Sequence, residues 1–248
     1  MKKFYFKSSV LQLVKTVAVI LLLNGCIENQ ASSLTSTNVQ AGTAVILAID
    51  ETQSFINYAK LDTNFVSSVC HSVPSTGGLV AITSIGESSD QSFLRCYLKA
   101  LPVINENLIL SKQAELKVEI TTIMAENQRQ IHQFLKKVHE KIFVPMNDPK
   151  RKVVITDING VLRKAVVLLG ESSNLNMRKL MFIYSDGIQS KNGKDTPACF
   201  EIKPHSNFTL CLCGWKTGPP CDLEIMQFEA PEGFLKFLDS DVLSTIKN

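Results

Sequence analysis

The chain has 248 residues, 45% of them hydrophobic and 20% charged, a balance that suits a packed domain and excludes a largely disordered one. Its formal charge of +3 is gathered at one end: Lys2, Lys3, Lys7 and Lys15 fall in the first 25 residues, which hold no acid, so the remainder carries −1. Beyond residue 25 there is no basic excess of the kind that nucleic-acid phosphates require, and that class of partner is excluded.

Residues 1–25 are expected to be an export signal. A basic start is followed by the apolar run Thr16–Leu23, too short to span a membrane, which takes ~20 apolar residues. The run ends in Leu23-Asn24-Gly25-Cys26, which resembles the lipobox of bacterial lipoproteins. That resemblance implies cleavage before Cys26, acylation of its thiol and attachment to the cell envelope through lipid. The outer membrane is the favoured address, since Ile27 stands where an aspartate would signal inner-membrane retention. Residues 26–42 are then the lipidated cysteine and a flexible tether, being polar, small and nearly uncharged. The folded domain is expected over 43–248.

Ala44–Asp50 is an unbroken apolar run ending in a carboxylate, the pattern of a strand buried on both faces of a parallel sheet. A helix is expected over 54–70, then a strand at Leu79–Ile85. A hairpin loop, Gly86–Gln91, leads to an antiparallel strand at Phe93–Leu98. Leu116, Ile120, Ile123, Ile131, Phe134, Val138 and Ile142 then form a stripe predicting a long amphipathic helix over Ser111–Phe143. A break is expected near Val118–Thr122, where β-branched residues cluster, and Pro145 and Pro149 end the helix. This stretch, about 104–150, reads as a helical insertion.

Val153–Thr156 leads into a helix over Asp157–Leu169, followed by a strand at Lys179–Asp186, a polar loop, a strand at Phe208–Cys213 and a final helix from about 231 to 246. Strands alternating with helices predict an α/β fold of three layers, doubly wound, with a mostly parallel sheet and one antiparallel edge strand.

In such sheets ligands bind outside the carboxyl ends of the strands. Three such places carry oxygen-bearing side chains: Asp50, Thr52 and Ser54 after the first strand, Thr156 ahead of a helix, and Ser185-Asp186-Gly187 after the fourth strand. The constellation resembles the von Willebrand factor type A (vWA) domain and its metal-ion-dependent adhesion site. The resemblance implies that Asp50, Thr52, Ser54, Thr156 and Asp186 hold Mg²⁺ (or Mn²⁺), with a coordination position left for a carboxylate of a partner protein. Carboxylates and hydroxyls are the donors such a hard cation prefers. Three departures from the pattern stand out. Thr52 replaces a serine, Val154-Ile155 replaces a glycine pair, and the 104–150 stretch is longer than the family needs. Thr52, Ser54 and Thr156 could also serve as helix N-caps.

The chain is expected to be an interaction or adhesion module and not an enzyme. One alternative is a metal-dependent phosphohydrolase with Asp50 as nucleophile, although such enzymes carry a second acid where Thr52 stands. Another is a scaffold with an idle metal site, whose long helix makes the contacts. Six cysteines besides Cys26 are an even count that suggests disulfides in an exported chain: Cys70, Cys96, Cys199, Cys211, Cys213 and Cys221. The alternation of Cys211 and Cys213 with Leu210 and Leu212 places both on one strand face. A zinc site from Cys199, Cys211, Cys213, Cys221 and His205 is the rival reading.

Overall fold

A computed structural model describes residues 42–52, 55, 61–73, 76–86, 92–104, 107–151, 153, 155–174, 176–191, 194–198, 208–216 and 225–246. The expected signal, the tether up to residue 41 and Cys26 lie outside these residues, as do Ser54, Cys199, His205 and Cys221.

The sheet is built around β1 (Thr43–Asp50), buried at every position as its uninterrupted apolar run requires. β2 (Gly78–Ile85) pairs with it in parallel on one side and β4 (Arg178–Tyr184) in parallel on the other. β3 (Leu94–Leu98) closes one edge antiparallel to β2, while β7 (Phe208–Cys213) and β8 (Ile225–Phe228) extend the other edge in parallel. The strand order is therefore β3-β2-β1-β4-β7-β8.

Helices cover both faces. One face packs α1 (Thr63–Ser72), the inner half of α2 (Leu110–Val138) and α4 (Pro231–Ile246) against Val45, Leu47, Leu180 and Phe182. Phe182 and Phe234 are fully buried there and stack with ring centroids 4.5 Å apart. The other face packs α3 (Ile158–Leu169) against Ile46, Ala48, Met181 and Leu212. The three-layer, doubly wound α/β architecture expected from the sequence is thus present, antiparallel edge strand included.

Several elements differ locally from the expected ones, β8 among them. α1 begins at Thr63, because Asp62 accepts hydrogen bonds from the amides of Asn64 and Phe65 and so caps it there. α2 runs without the expected break at 118–122, and within it the Thr121 and Thr122 hydroxyls donate to the carbonyls of Lys117 and Val118. Its irregularity comes later, as a π turn at His139–Phe143 before a last turn at Val144–Met146. Part of the expected polar loop after residue 186 is a hairpin of β5 (Ile188–Lys191) and β6 (Lys194–Pro197), paired antiparallel. Among the described residues no helix is long and apolar enough to cross a membrane.

No disulfide is formed between two of the described cysteines: Cys70, Cys96, Cys211 and Cys213 are all buried, and Cys70, Cys96 and Cys213 are free thiols. The alternation that puts Cys211 and Cys213 on one face turns both into the aromatic core, where they pack as small apolar groups. Burial pushes the Cys213 thiol up to about 12, with Glu232 adding to the effect. Cys70 and Cys96 share a thiol–thiol hydrogen bond, which together with burial holds Cys70 protonated.

Candidate metal centre

Two aspartates meet where the central strands end. β1 delivers Asp50 and the segment after β4 delivers Ser185-Asp186, so both carboxylates arrive at the carboxyl edge of neighbouring parallel strands. This is the switch point of the sheet, with the chain moving to β2 on one side of β1 and to β4 on the other. Both side chains are buried, Asp50 at 1% exposure and Asp186 at 3%.

Asp50 is held from both sides. Its Oδ1 accepts from the Thr52 amide at 2.9 Å and from the Thr52 hydroxyl at 2.6 Å, and its Oδ2 accepts from the Ser185 hydroxyl at 2.6 Å. Burial pushes its carboxyl above the ordinary range, the Ser185 and Thr52 hydrogen bonds pull it back, and the Asp186 charge pushes it further up. Among the described residues neither aspartate pairs with a cationic side chain. Two buried carboxylates without a counter-charge among the described residues make an arrangement whose charge a divalent cation could balance.

A tight turn aims Asp186. Its Oδ1 accepts from the Ile188 amide at 3.0 Å, closing the chain around Gly187, whose φ of +80° favours glycine. The Trp215 ring lies over Gly187, and the Lys216 amide donates to the Asp186 carbonyl at 3.0 Å, so the loop after β7 wraps this turn.

Thr156 is fastened to the β5–β6 hairpin: its amide donates to the Ser190 carbonyl at 3.2 Å, and the residue is 2% exposed. The Thr156 hydroxyl makes no hydrogen bond to a described residue. It does not cap α3, because the Asp157 carboxylate does so, accepting from the Gly160 amide at 2.9 Å. Nor does Thr52 cap the described helix nearest it, which Asp62 caps. The structure thus joins Asp50 to Thr52 by hydrogen bonds and to the residue before Asp186 through Ser185, and fastens the Thr156 amide to Ser190, four residues beyond Asp186. Ser54 lies outside the described residues.

The donor set fits a hard cation. Every candidate donor is oxygen, and the Thr156 hydroxyl makes no hydrogen bond to a described residue. Among the described residues no cluster of three or more His, Cys, Asp or Glu side chains forms a soft or all-acid site. Zinc through Cys211 and Cys213 is not supported, since both thiols lie in the core with Phe182 and Phe234.

Two residues that motif spacing left aside complete the surroundings. Glu51 is 2% exposed and its Oε1 accepts from Arg151 at 2.9 Å. Ser185, the residue before the second aspartate, is the one that ties Asp50 to β4's end.

No family of known proteins matches this chain's sequence, and no curated protein matches it. Solved structures do resemble it at low identity. The pilus adhesin SpaC of Lactobacillus rhamnosus GG, in its open conformation, aligns over 84% of this chain and 30% of its own length, at 12% identity and a TM-score of 0.39. The SpRpn10 VWA domain aligns over 80% of this chain and 82% of its own, at 9% identity and a TM-score of 0.35. Proximal thread matrix protein 1 from the mussel byssus, described with a zinc-occupied MIDAS motif, aligns over 83% and 48%, at 11% identity and a TM-score of 0.38. This chain therefore spans about a third of the adhesin and half of the byssus protein.

Proposed function

We propose that the chain is a lipid-anchored interaction module of the cell envelope, which engages a carboxylate of a protein partner through a divalent cation, Mg²⁺ or Mn²⁺. The observation that carries this reading is the juxtaposition of Asp50 and Asp186, both buried and without a cationic partner among the described residues, at the carboxyl ends of β1 and β4. Asp50, Thr52, Ser54, Thr156 and Asp186 are the residues that would hold the ion. When bound, it would supply positive charge that draws in a carboxylate. The chain's own part is to keep the two carboxylates fixed and dry, through Thr52, Ser185 and the Ile188 amide. The site does not call for catalysis: the position two after Asp50, where a phosphohydrolase would keep its acid, is a threonine donating its proton to Asp50.

Thermal melting with Mg²⁺ or Mn²⁺ against chelator tests the metal. Saturation at 100 times the dissociation constant stabilises by about 2.7 kcal/mol, or roughly 5–10 °C in a domain of this size. Asp50→Ala and Asp186→Ala remove that increment. Equal melting of the unsubstituted protein in metal and chelator overturns the metal reading. Cys26→Ser, expected to release the protein from the membrane fraction, tests the anchor.

A second reading has its own observation: Leu110, Val118 and Met124 on α2 are exposed at 83%, 68% and 55%. Partner binding that survives chelator but fails on charge reversal along α2 places the contact on that helix instead.

A further inference from the structure

The end of β1 holds a second buried acid that the metal reading does not use. The Glu51 amide donates to the Ile85 carbonyl at 3.1 Å, and its carboxylate is tucked beneath Gly86, where any β-carbon would collide with Oε1. The niche is shaped for that carboxylate. Its counter-charge comes from 100 residues away: Arg151 donates to Oε1 at 2.9 Å, while Oε2 has no hydrogen-bond partner among the described residues.

Arg151 lies where the long helical stretch ends and the Thr156 segment begins. It is presented by a tight turn in which Asp148 accepts from the Lys150 amide through its side chain and from the Arg151 amide through its carbonyl. Between Arg151 and Thr156, Val153 is buried, and the Thr156 amide is then fastened to Ser190. Among the described residues the segment is thus held by Arg151, the buried Val153 and the Thr156 amide, and the Arg151 attachment ties it to Glu51, the neighbour of Asp50.

We propose that Glu51 and Arg151 are positioning residues, a half-buried strut that locks the Thr156 segment to the end of β1 and so sets the Thr156 hydroxyl relative to Asp50 and Asp186. The inference rests on the metal reading for its functional consequence, though not for the strut itself. A paired charge is the device such a niche demands, because a lone buried carboxylate is strongly disfavoured while a hydrogen-bonded pair fixes a geometry. The pair also keeps the Arg151 cation engaged, so it adds no net positive charge beside the two aspartates.

The test uses Glu51→Gln/Arg151→Gln together, which leaves the net charge unchanged, with Arg151→Lys as the milder variant should the double one not fold. Amide hydrogen exchange in chelator reads the segment directly. The expected result is exchange across 153–158 faster by about ten-fold in the double variant and by less in Arg151→Lys, with the Ser185 amide unchanged. Metal titration, followed by melting, reads the consequence: the half-saturating Mg²⁺ concentration should rise about ten-fold, and pair removal should add little in a Thr156→Ala background. Unchanged exchange at 153–158 overturns the strut. Faster exchange with an equal metal penalty whether or not Thr156 is present overturns its action through Thr156. Faster exchange in a chain whose parent shows no response to Mg²⁺ supports the strut and overturns the metal reading alone.

Discussion

Adding one methyl group at Gly187 should unsettle the site without touching a candidate ligand. Gly187 has φ of +80°, and a β-carbon built there lies 2.5 Å from Trp215 Cε2 and 2.7 Å from Cδ2. Gly187→Ala therefore meets two penalties. The left-handed backbone costs about 1–2 kcal/mol for a residue with a β-carbon, and displacing a packed ring costs about 1–3 kcal/mol. Together they amount to about 2–5 kcal/mol, a drop of roughly 5–15 °C in melting temperature for a domain this large. The two shares separate in a double-mutant cycle, since Trp215→Ala removes the collision and leaves the backbone strain. In that background Gly187→Ala should cost only about 1–2 kcal/mol. Because the same turn aims Asp186 through the Ile188 amide, metal-dependent stabilisation should weaken as well. Circular dichroism melts of the four proteins, with and without Mg²⁺, make the measurement. A Gly187→Ala protein melting within about 1 °C of its parent, or one equally destabilised with and without Trp215, refutes the reasoning.

Phe234→Ala, which empties a fully buried site stacked on Phe182, should cost about 3–5 kcal/mol in urea unfolding. The metal-free protein should lose stability as pH rises: Asp50 has its carboxyl raised above the ordinary 3.8, so the stabilisation from its protonated form is complete below that value and is lost as pH climbs through the raised one. Asp50→Asn should flatten that part of the profile, and an unaltered slope in the variant would assign the loss elsewhere. Cys70, Cys96 and Cys213 should resist a water-soluble thiol reagent in the native protein and react in denaturant; prompt labelling of Cys213 under native conditions contradicts its burial.

The main features of the fold are legible because its central strands carry mostly apolar residues until they end near a carboxylate. Asp50 and Asp186 mark the sheet's carboxyl edge for that reason, and Thr156-Asp157 marks a helix start because its aspartate is a good cap. The β5–β6 hairpin is hard to read because its strands are four residues long and β6 is wholly exposed, so neither burial nor alternation advertises them. The Asn192-Gly193 dipeptide between them is the available signal. β8, also four residues, follows a cysteine- and proline-rich stretch that obscures it. The start of α1 is misplaced by pattern alone because Phe55 and Ile56 extend its apolar spacing backwards, whereas Asp62 decides the boundary. Cysteine parity suggests bridges, but parity says nothing of whether a second sulfur stands opposite the first. The Glu51–Arg151 pair is invisible for the simplest reason: partners 100 residues apart share no local pattern.

The π turn at His139–Phe143 sets a direction. One residue more than an α turn needs is spent there, and it lets Ile142 and Phe143 both enter the core beneath Ile131, Phe134 and Val138. Each residue of a helix advances it by about 100° around its axis. Deleting one residue from this turn would therefore swing everything upstream by about that angle. Asn127 would leave the Lys99 backbone it clasps through two hydrogen bonds, and the half-buried row of Leu116, Ile120 and Ile123 would face a new quarter. The compass bearing of the outer helix, and of whatever it presents, is thus written in the length of a five-residue turn and not in the composition of the helix itself.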